Sequence, residues 1–304
     1  MLRKIKDLIR IQQTLPSRLA KVENAIAEQK LLSAKSLINT FDYTMDLPIS
    51  NYEFKVFSQW GDDGIIQYLI NRAEITDRTF IEFGVENYSE ANTLFLLLNN
   101  NWSGLILDGS KSYLDEAKTS PIYWKYDLKL KDAFITRENI NNLILESGFS
   151  RDVGILSIDI DGNDYWIWEA ISVVNPVIVI IEYNSVFGRD KTWTIPYKAD
   201  FSRTEEHFSN LYFGSSLQSL CDLAEQKDYF FVGCSSSGNN SYFVRKDKIG
   251  HVKPVTPQDG YVLSLFRESR NEQGYLSYIS GNARIDILKG MPIFNTRTNQ
   301  LETI

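Results

Sequence analysis

From about residue 50 the chain alternates short apolar runs with amphipathic segments, a texture that restricts it to βα units wound onto a mainly parallel sheet. Thr79–Val85, Gly104–Asp108, Val153–Ile160 and Val177–Tyr183 read as strands, with a weaker one at Ile122–Tyr126. Between them Gly64–Ala73, Glu90–Asn99, Tyr113–Lys118, Arg137–Ser147 and Tyr165–Val173 read as helices. Ser215–Lys227 is helical in pattern, and Tyr229–Ser235 and Ser241–Arg245 flank Ser236-Ser237-Gly238-Asn239-Asn240, which is hairpin turn chemistry. The expected class is therefore α/β: a Rossmann-like, doubly wound, mostly parallel sheet closed by an antiparallel terminal hairpin.

Three regions follow from these patterns. Residues 1–45 read as a helical arm, in which Leu2, Ile5, Leu8 and Ile9 recur at helical spacing. Pro16 is expected to interrupt that helix, and Ser17 to cap a second one carrying Leu19, Val22 and Ile26. Arg3, Lys4, Lys6 and Arg10 suit either an anionic membrane surface or the solvated face of a helix packed on a partner; we expect a homo-oligomer joined through this arm. Residues 46–250 form the core, and 251–304 an extension with Pro254, Pro257 and Gly260 whose role the sequence does not reveal.

Composition narrows the function. A net charge of −7 opposes the counterion release on which nucleic-acid binding depends, so no nucleic-acid partner is expected. Cys221 and Cys234 are too few for a disulfide framework and lack zinc or redox spacing. Lys6, Asp7 and Arg10 interrupt any signal-peptide core in MLRKIKDLIRIQQ, and the apolar run Val173–Ile181 falls well short of the ~20 residues of a transmembrane helix. A cytoplasmic protein is expected.

Several strand ends carry chemistry. Gly84, in Phe80-Ile81-Glu82-Phe83-Gly84-Val85, stands where a glycine lets backbone approach a ligand at the carboxyl end of a strand; later glycines of such a loop are replaced by Glu86 and Tyr88. About 24 residues on, Asp108 ends a strand in the position from which a carboxylate accepts both ribose hydroxyls of an adenosine cofactor; capping the next helix is the alternative. Asp127, after the weak third strand, is placed to reach an adenine amino group or to sit in a surface loop.

The most distinctive stretch is Ile158-Asp159-Ile160-Asp161-Gly162-Asn163-Asp164-Tyr165-Trp166. Acids at the mouth of an apolar strand are costly unless paired, hydrogen-bonded or metal-bound. Glu182 and Asn184 reach the same edge one strand later, and oxygen donors of this kind suit Mg²⁺, Mn²⁺ or Ca²⁺. A metal held by Asp159, Asp161 and Glu182 would lower the pKa of a coordinated hydroxyl; the plainer alternative is a set of loop hydrogen bonds. His207, in the polar loop Ser202–Ser209, is a general-base candidate or a solvated bystander. Ser58-Gln59-Trp60-Gly61-Asp62-Asp63-Gly64 opens the core with either ligand contacts or a helix cap, and Trp60 suits a cleft wall or the core.

The series FSQWGDDGI, FIEFGV, EANTLFL, NWSGLILDGS, LSIDIDGNDYWIWEAI, VIVIIEYN and YFGSSLQSL resembles bacterial S-adenosylmethionine-dependent methyltransferase-like proteins related to the FkbM family, often linked to surface-polysaccharide or secondary-metabolite biosynthesis. The resemblance runs from about residue 54 to 246, with Phe266-Arg267-Glu268-Ser269-Arg270 suggesting that it continues. It implies a seven-stranded Rossmann-like sheet and methyl transfer to an oxygen or nitrogen of a small-molecule or glycan acceptor. It also implies that Glu82, Gly84 and Asp108 hold S-adenosylmethionine while Asp159 or Asp161 with Glu182 lies beside the acceptor, with Mg²⁺ or Mn²⁺ as a possible aid. Two other functions are compatible with the residues. Asp159-Ile160-Asp161 also resembles the Asp-x-Asp of metal-dependent glycosyltransferases, and a non-catalytic scaffold would use the helical arm.

Overall fold

The computed structural model describes the backbone of residues 2–304 and the side chains of residues 12–304; Arg3, Lys4, Lys6 and Arg10 lie outside the described side chains. The chain divides into two compact units, residues 1–42 and Tyr43–Ile304. The second takes in both the expected 46–250 core and the 251–304 extension.

The first unit is helix α1 (Leu2–Ile38), which runs through Pro16 without the expected break. A helix can absorb a proline by giving up one backbone bond. Ser17, expected as a cap, instead donates its hydroxyl to the Thr14 carbonyl within the preceding turn, 2.9 Å away. Among the described residues no helix is long and apolar enough to cross a membrane.

In the second unit α2 (Asp62–Arg72) leads into β1 (Thr79–Phe83), followed by α3 (Leu94–Asn100), β2 (Ser103–Asp108), α4 (Lys111–Thr119), α5 (Ile122–Lys125) and β3 (Leu128–Asp132). Next come α6 (Ile140–Glu146), β4 (Arg151–Ile158), α7 (Asp164–Ala170), β5 (Val174–Glu182), β6 (Trp193–Thr194), α8 (Arg203–Glu206), α9 (Leu217–Gln226), β7 (Tyr229–Cys234) and β8 (Asn240–Arg245). The extension adds α10 (Pro257–Gly260), α11 (Ala283–Asp286), β9 (Pro292–Asn295) and β10 (Gln300–Thr303).

Among the described residues the main sheet has seven strands in the order β3-β2-β1-β4-β5-β8-β7. The β1–β5 strands pair in parallel, while β8 is antiparallel to β5 and to β7. This is the Rossmann-like, doubly wound sheet with an antiparallel hairpin that the sequence predicts. Helices cover both faces, so β4 and β5 are buried along nearly their whole length and carry almost continuous apolar sequence. Ile81, Phe83, Leu156, Ile158, Val179 and Ile181 lie in one buried cluster with Trp166 and Trp168 of α7. Strand order reverses between β1 and β4, and the crevice outside their carboxyl ends is where ligands bind in open sheets of this kind.

Two expectations need correction. Ile122–Tyr126 is not the third strand: Ser120-Pro121 starts the short helix α5, and Leu128–Asp132 forms the strand beside β2. The helix expected over Tyr165–Val173 ends at Ala170, because Val174 already pairs with Arg151 as the first residue of β5. Strand β9 of the extension pairs with β6 in a second sheet of order β10-β9-β6.

Candidate functional site

A cavity of about 670 Å³ opens at the carboxyl ends of β1, β2, β4 and β5. Its walls include Glu82, Gly84, Asp108, Asp159, Asp161 and Glu182, so six of the acids and glycines singled out in the sequence meet in one space. The volume lies within the usual range for a small-molecule site.

The loop after β1 is shaped by backbone rather than by glycine content. Gly84 has φ +71°, and the two positions where glycines were expected also adopt left-handed backbone, Glu86 at φ 49° and Tyr88 at φ 59°. The loop therefore keeps a glycine-type conformation while carrying side chains, at a cost for each L-residue. A Cβ on Gly84 would stand 1.7 Å from the Asp159 carbonyl oxygen, so the close backbone approach at this glycine is made by the exit of β4.

Glu82 braces the same loop. Its carboxylate accepts the amide of Asn92 at 2.8 Å, the amide of Thr93 at 3.0 Å and the Thr93 hydroxyl. Burial pushes its pKa up to about 7 against the pull of these donors. The side chain lines the cavity but spends both oxygens on the protein.

Asp108, 8% exposed, ends β2 and is fixed from two sides: the Glu86 amide donates to Oδ2 at 2.8 Å and the Ser110 amide to Oδ1 at 2.7 Å. A carboxylate has about four lone-pair sites, so each oxygen retains one for a ligand. Tyr113, Ala133, Phe134 and Ile135 line the same cavity, the Ala133 amide donating to the Asp108 carbonyl at 3.1 Å, and give it apolar and aromatic surface of the kind that receives a planar base. Asp127 is not part of this wall. It precedes β3, its carbonyl accepts the Gly104 amide at the amino end of β2, and it therefore lies at the opposite edge of the sheet. The shift of the third strand from 122–126 to 128–132 accounts for the misplacement.

Across the switch point, Asp159, Asp161 and Glu182 each offer a carboxylate oxygen within 4.8 Å of the others. Burial, then the charge of neighbouring acids, raises Asp159 and Glu182 well above the usual carboxylate range. Oε2 of Glu182 is buried without a hydrogen-bond partner, as are Oδ1 of Asn163 and Oδ1 of Asn240 on the same cavity wall. Nη2 of Arg203 is likewise buried on this wall without a hydrogen-bond partner, so the cavity presents unpaired groups of both kinds, acceptors and a donor. Asp164 holds the turn: its oxygens accept the amides of Ile160 and Gly162, both at 2.9 Å, and Asp161 takes a left-handed φ of 57°.

The base facing these acids is Arg203 of α8. It donates to Asp161 at 2.6 Å, lies 2.5 Å from a Glu268 oxygen, bonds the Asn210 carbonyl at 2.8 Å and stacks 3.7 Å from the Phe213 ring centroid. His207, a candidate for the general base or a solvated bystander, follows α8 and is not among the cavity-lining residues. Its Nδ1 is 2.7 Å from the Ser209 hydroxyl, its ring stacks on Phe208, and partial burial lowers its pKa. Arg203, Asn240, Phe266 and Glu268 were missed by sequence reasoning. The motif at Phe266–Arg270 and the hairpin turn contained three of them, but nothing in their spacing linked them to β4. Trp60, left open between cleft and core, lines the cavity and stacks on Phe266 with ring centroids 5.7 Å apart.

No protein-family model and no curated protein matches the chain. It is similar in structure to an S-adenosylmethionine-dependent methyltransferase from Clostridium acetobutylicum ATCC 824, with 14% identity, 74% of this chain and 99% of that one covered, and a TM-score of 0.39. An O-methyltransferase from Bacillus cereus in complex with SAH gives 14% identity, coverage of 72% and 91%, and a TM-score of 0.39. The CurJ carbon methyltransferase gives 10% identity, coverage of 79% and 71%, and a TM-score of 0.40.

Proposed function

We propose that this chain is an S-adenosylmethionine-dependent methyltransferase that methylates an oxygen or nitrogen of a sugar or glycan precursor. The observation that carries the reading is the pairing of two acidic groups on one cavity across the switch point: a braced carboxylate, Asp108, at the end of β2, and the Asp159, Asp161 and Glu182 cluster at the ends of β4 and β5. The resemblance of the sequence motifs to FkbM-related proteins supports both the cofactor and the glycan class of acceptor.

On this reading Asp108 accepts the ribose hydroxyls, Tyr113 and Phe134 border the base, and Gly84 keeps the loop closed on β4. Bound S-adenosylmethionine supplies an electrophilic methyl group on a sulfonium. The protein's task is alignment and removal of the acceptor's proton. With His207 off the cavity, Asp159 or Glu182 is the base, and burial makes each the stronger base once ionised. The orphan Oε2 of Glu182 and the closeness of the three carboxylates fit Mg²⁺ or Mn²⁺ on Asp159, Asp161 and Glu182, where it would lower the acceptor's pKa. Arg203 competes for Asp161 and supplies part of the same charge.

Calorimetry with S-adenosylmethionine and with a panel of nucleotide sugars, each with and without Mg²⁺, tests the reading. Binding of S-adenosylmethionine alone is the expected result. Metal-dependent binding of a nucleotide sugar instead would make this a glycosyltransferase, and binding of neither would leave a scaffold. Asp161→Ala is expected to leave cofactor binding near parental and to damage turnover.

A further inference from the structure

We infer that α1 is one strand of a parallel, two-stranded coiled coil formed by two copies of this chain. Leu15, Leu19, Val22 and Ile26 follow one another at intervals of four, three and four residues, the 3.5-residue repeat of a left-handed supercoil. They are 45%, 51%, 55% and 52% exposed, so the chain on its own leaves a continuous apolar seam facing water. A helix that carries such a stripe buries it against something.

The residues identify the partner. Leu15 and Val22 fall at heptad positions d, and Leu19 and Ile26 at a; in the sequence the register continues back to Leu8 at d and Ile5 at a. Ile5 and Ile26 at a with Leu8 and Leu15 at d follow the pattern that favours two parallel strands, while Leu19 at a and Val22 at d reverse it, so the choice of two strands rests on the flanking charges. Arg18 falls at g and Glu23 at the next e, both exposed. In a parallel pair in register, Arg18 of one copy faces Glu23 of the other, and two-fold symmetry makes that contact twice. The apolar seam is flanked by one charge pair, Arg18 with Glu23, that is complementary between two copies, which points to a second copy of this chain. Gln12 at a interrupts it, and Gln29 at d and Ser33 at a end it. A single polar a position sets register at some expense of stability.

Light scattering of the full chain after size exclusion is expected to give twice the 35.0 kDa chain mass. Leu15→Cys and Val22→Cys are each expected to cross-link two chains under mild oxidation, because in a parallel pair equal d positions face each other. The parent, with Cys234 buried and Cys221 half-buried, serves as the uncross-linked control. Leu19→Asp with Ile26→Asp should give monomers. Since such a change can also unwind the helix, charge reversal is the second arm: Arg18→Glu alone should raise the dimer dissociation constant several-fold, and adding Glu23→Arg should restore it. A parent of single-chain mass, failure of both cysteine variants to cross-link, or a dimer indifferent to the aspartates and to the charge reversal would overturn the proposal. None of these readouts uses the cavity or a cofactor, so they stand apart from the methyltransferase reading.

Discussion

Arg203 donates to Asp161 across 2.6 Å while its other terminal nitrogen lies 2.5 Å from Glu268, so one guanidinium ties the exit of β4 to the C-terminal extension. The arginine is 13% exposed but its partners are 63% and 36% exposed, which places the pair between a surface bridge and a buried one. Arg203→Gln is therefore expected to lower the free energy of unfolding in urea by about 1–2 kcal/mol, well short of the loss for a fully buried pair. The same change removes a positive charge from the acid cluster and should tighten Mn²⁺ binding by about tenfold, given roughly 1–4 kcal/mol for charges this close. Titration of the variant with Mn²⁺ that gave the parent's affinity would show that Arg203 and the cation do not share Asp161.

Asp108 does two jobs, and substitution separates them. Asp108→Ala removes the acceptor of the Glu86 and Ser110 amides as well as the proposed ribose contact. Charge-assisted bonds of this kind contribute about 1.5–3 kcal/mol, so the calorimetric Kd for S-adenosylmethionine should rise by at least about tenfold. Asp108→Asn keeps one acceptor oxygen and should fall between the two. Parental affinity in Asp108→Ala would end the ribose assignment.

The apolar strands were legible because burial on both faces writes an uninterrupted apolar run, as in β4 and β5. Their acidic ends were legible for the complementary reason: charge at the mouth of such a strand needs an explanation. The edge strand β3 was not, because it is only partly buried and its Leu128-Lys129-Leu130-Lys131 alternation is short, whereas the aromatic run before it drew attention. Arg203, Asn240 and Glu268 escaped because they reach the cavity from three separate segments, and chain separation leaves no spacing to read. The left-handed backbone at Glu86 and Tyr88 was hidden by side chains that do not advertise it.

Stability should fall as pH rises through the neutral range. Burial raises Glu82 from its ordinary 4.5 to about 7 and Asp63 from 3.8 to about 6, so the folded chain holds protons that the unfolded chain has released. Their stabilising effect is complete below the unfolded pKa values and disappears as pH passes the folded ones. For Glu82 alone the change is on the order of 3 kcal/mol. Urea unfolding at pH 5 and pH 8 should give the lower free energy at pH 8, and a rise over that interval would contradict the burial assigned to these acids.

Two substitutions in the loop after β1 should act in opposite directions, although the positions are two residues apart and share a left-handed backbone. Gly84→Ala puts a Cβ 1.7 Å from the Asp159 carbonyl oxygen, a backbone atom that can retreat only by moving the β4 exit and the acid cluster with it. Strain from the positive φ adds about 1 kcal/mol or more, so a loss above about 3 kcal/mol is expected, together with weaker binding of both cofactor and Mn²⁺. Glu86→Gly relieves the same backbone strain without removing the amide that Asp108 accepts. The relief outweighs the greater entropy of glycine in the unfolded chain, and a gain of up to about 1 kcal/mol is expected. Thermal unfolding of the two variants beside the parent reads both signs at once. Destabilisation by Glu86→Gly as large as that by Gly84→Ala would mean that the Glu86 side chain, and not its backbone, holds the loop.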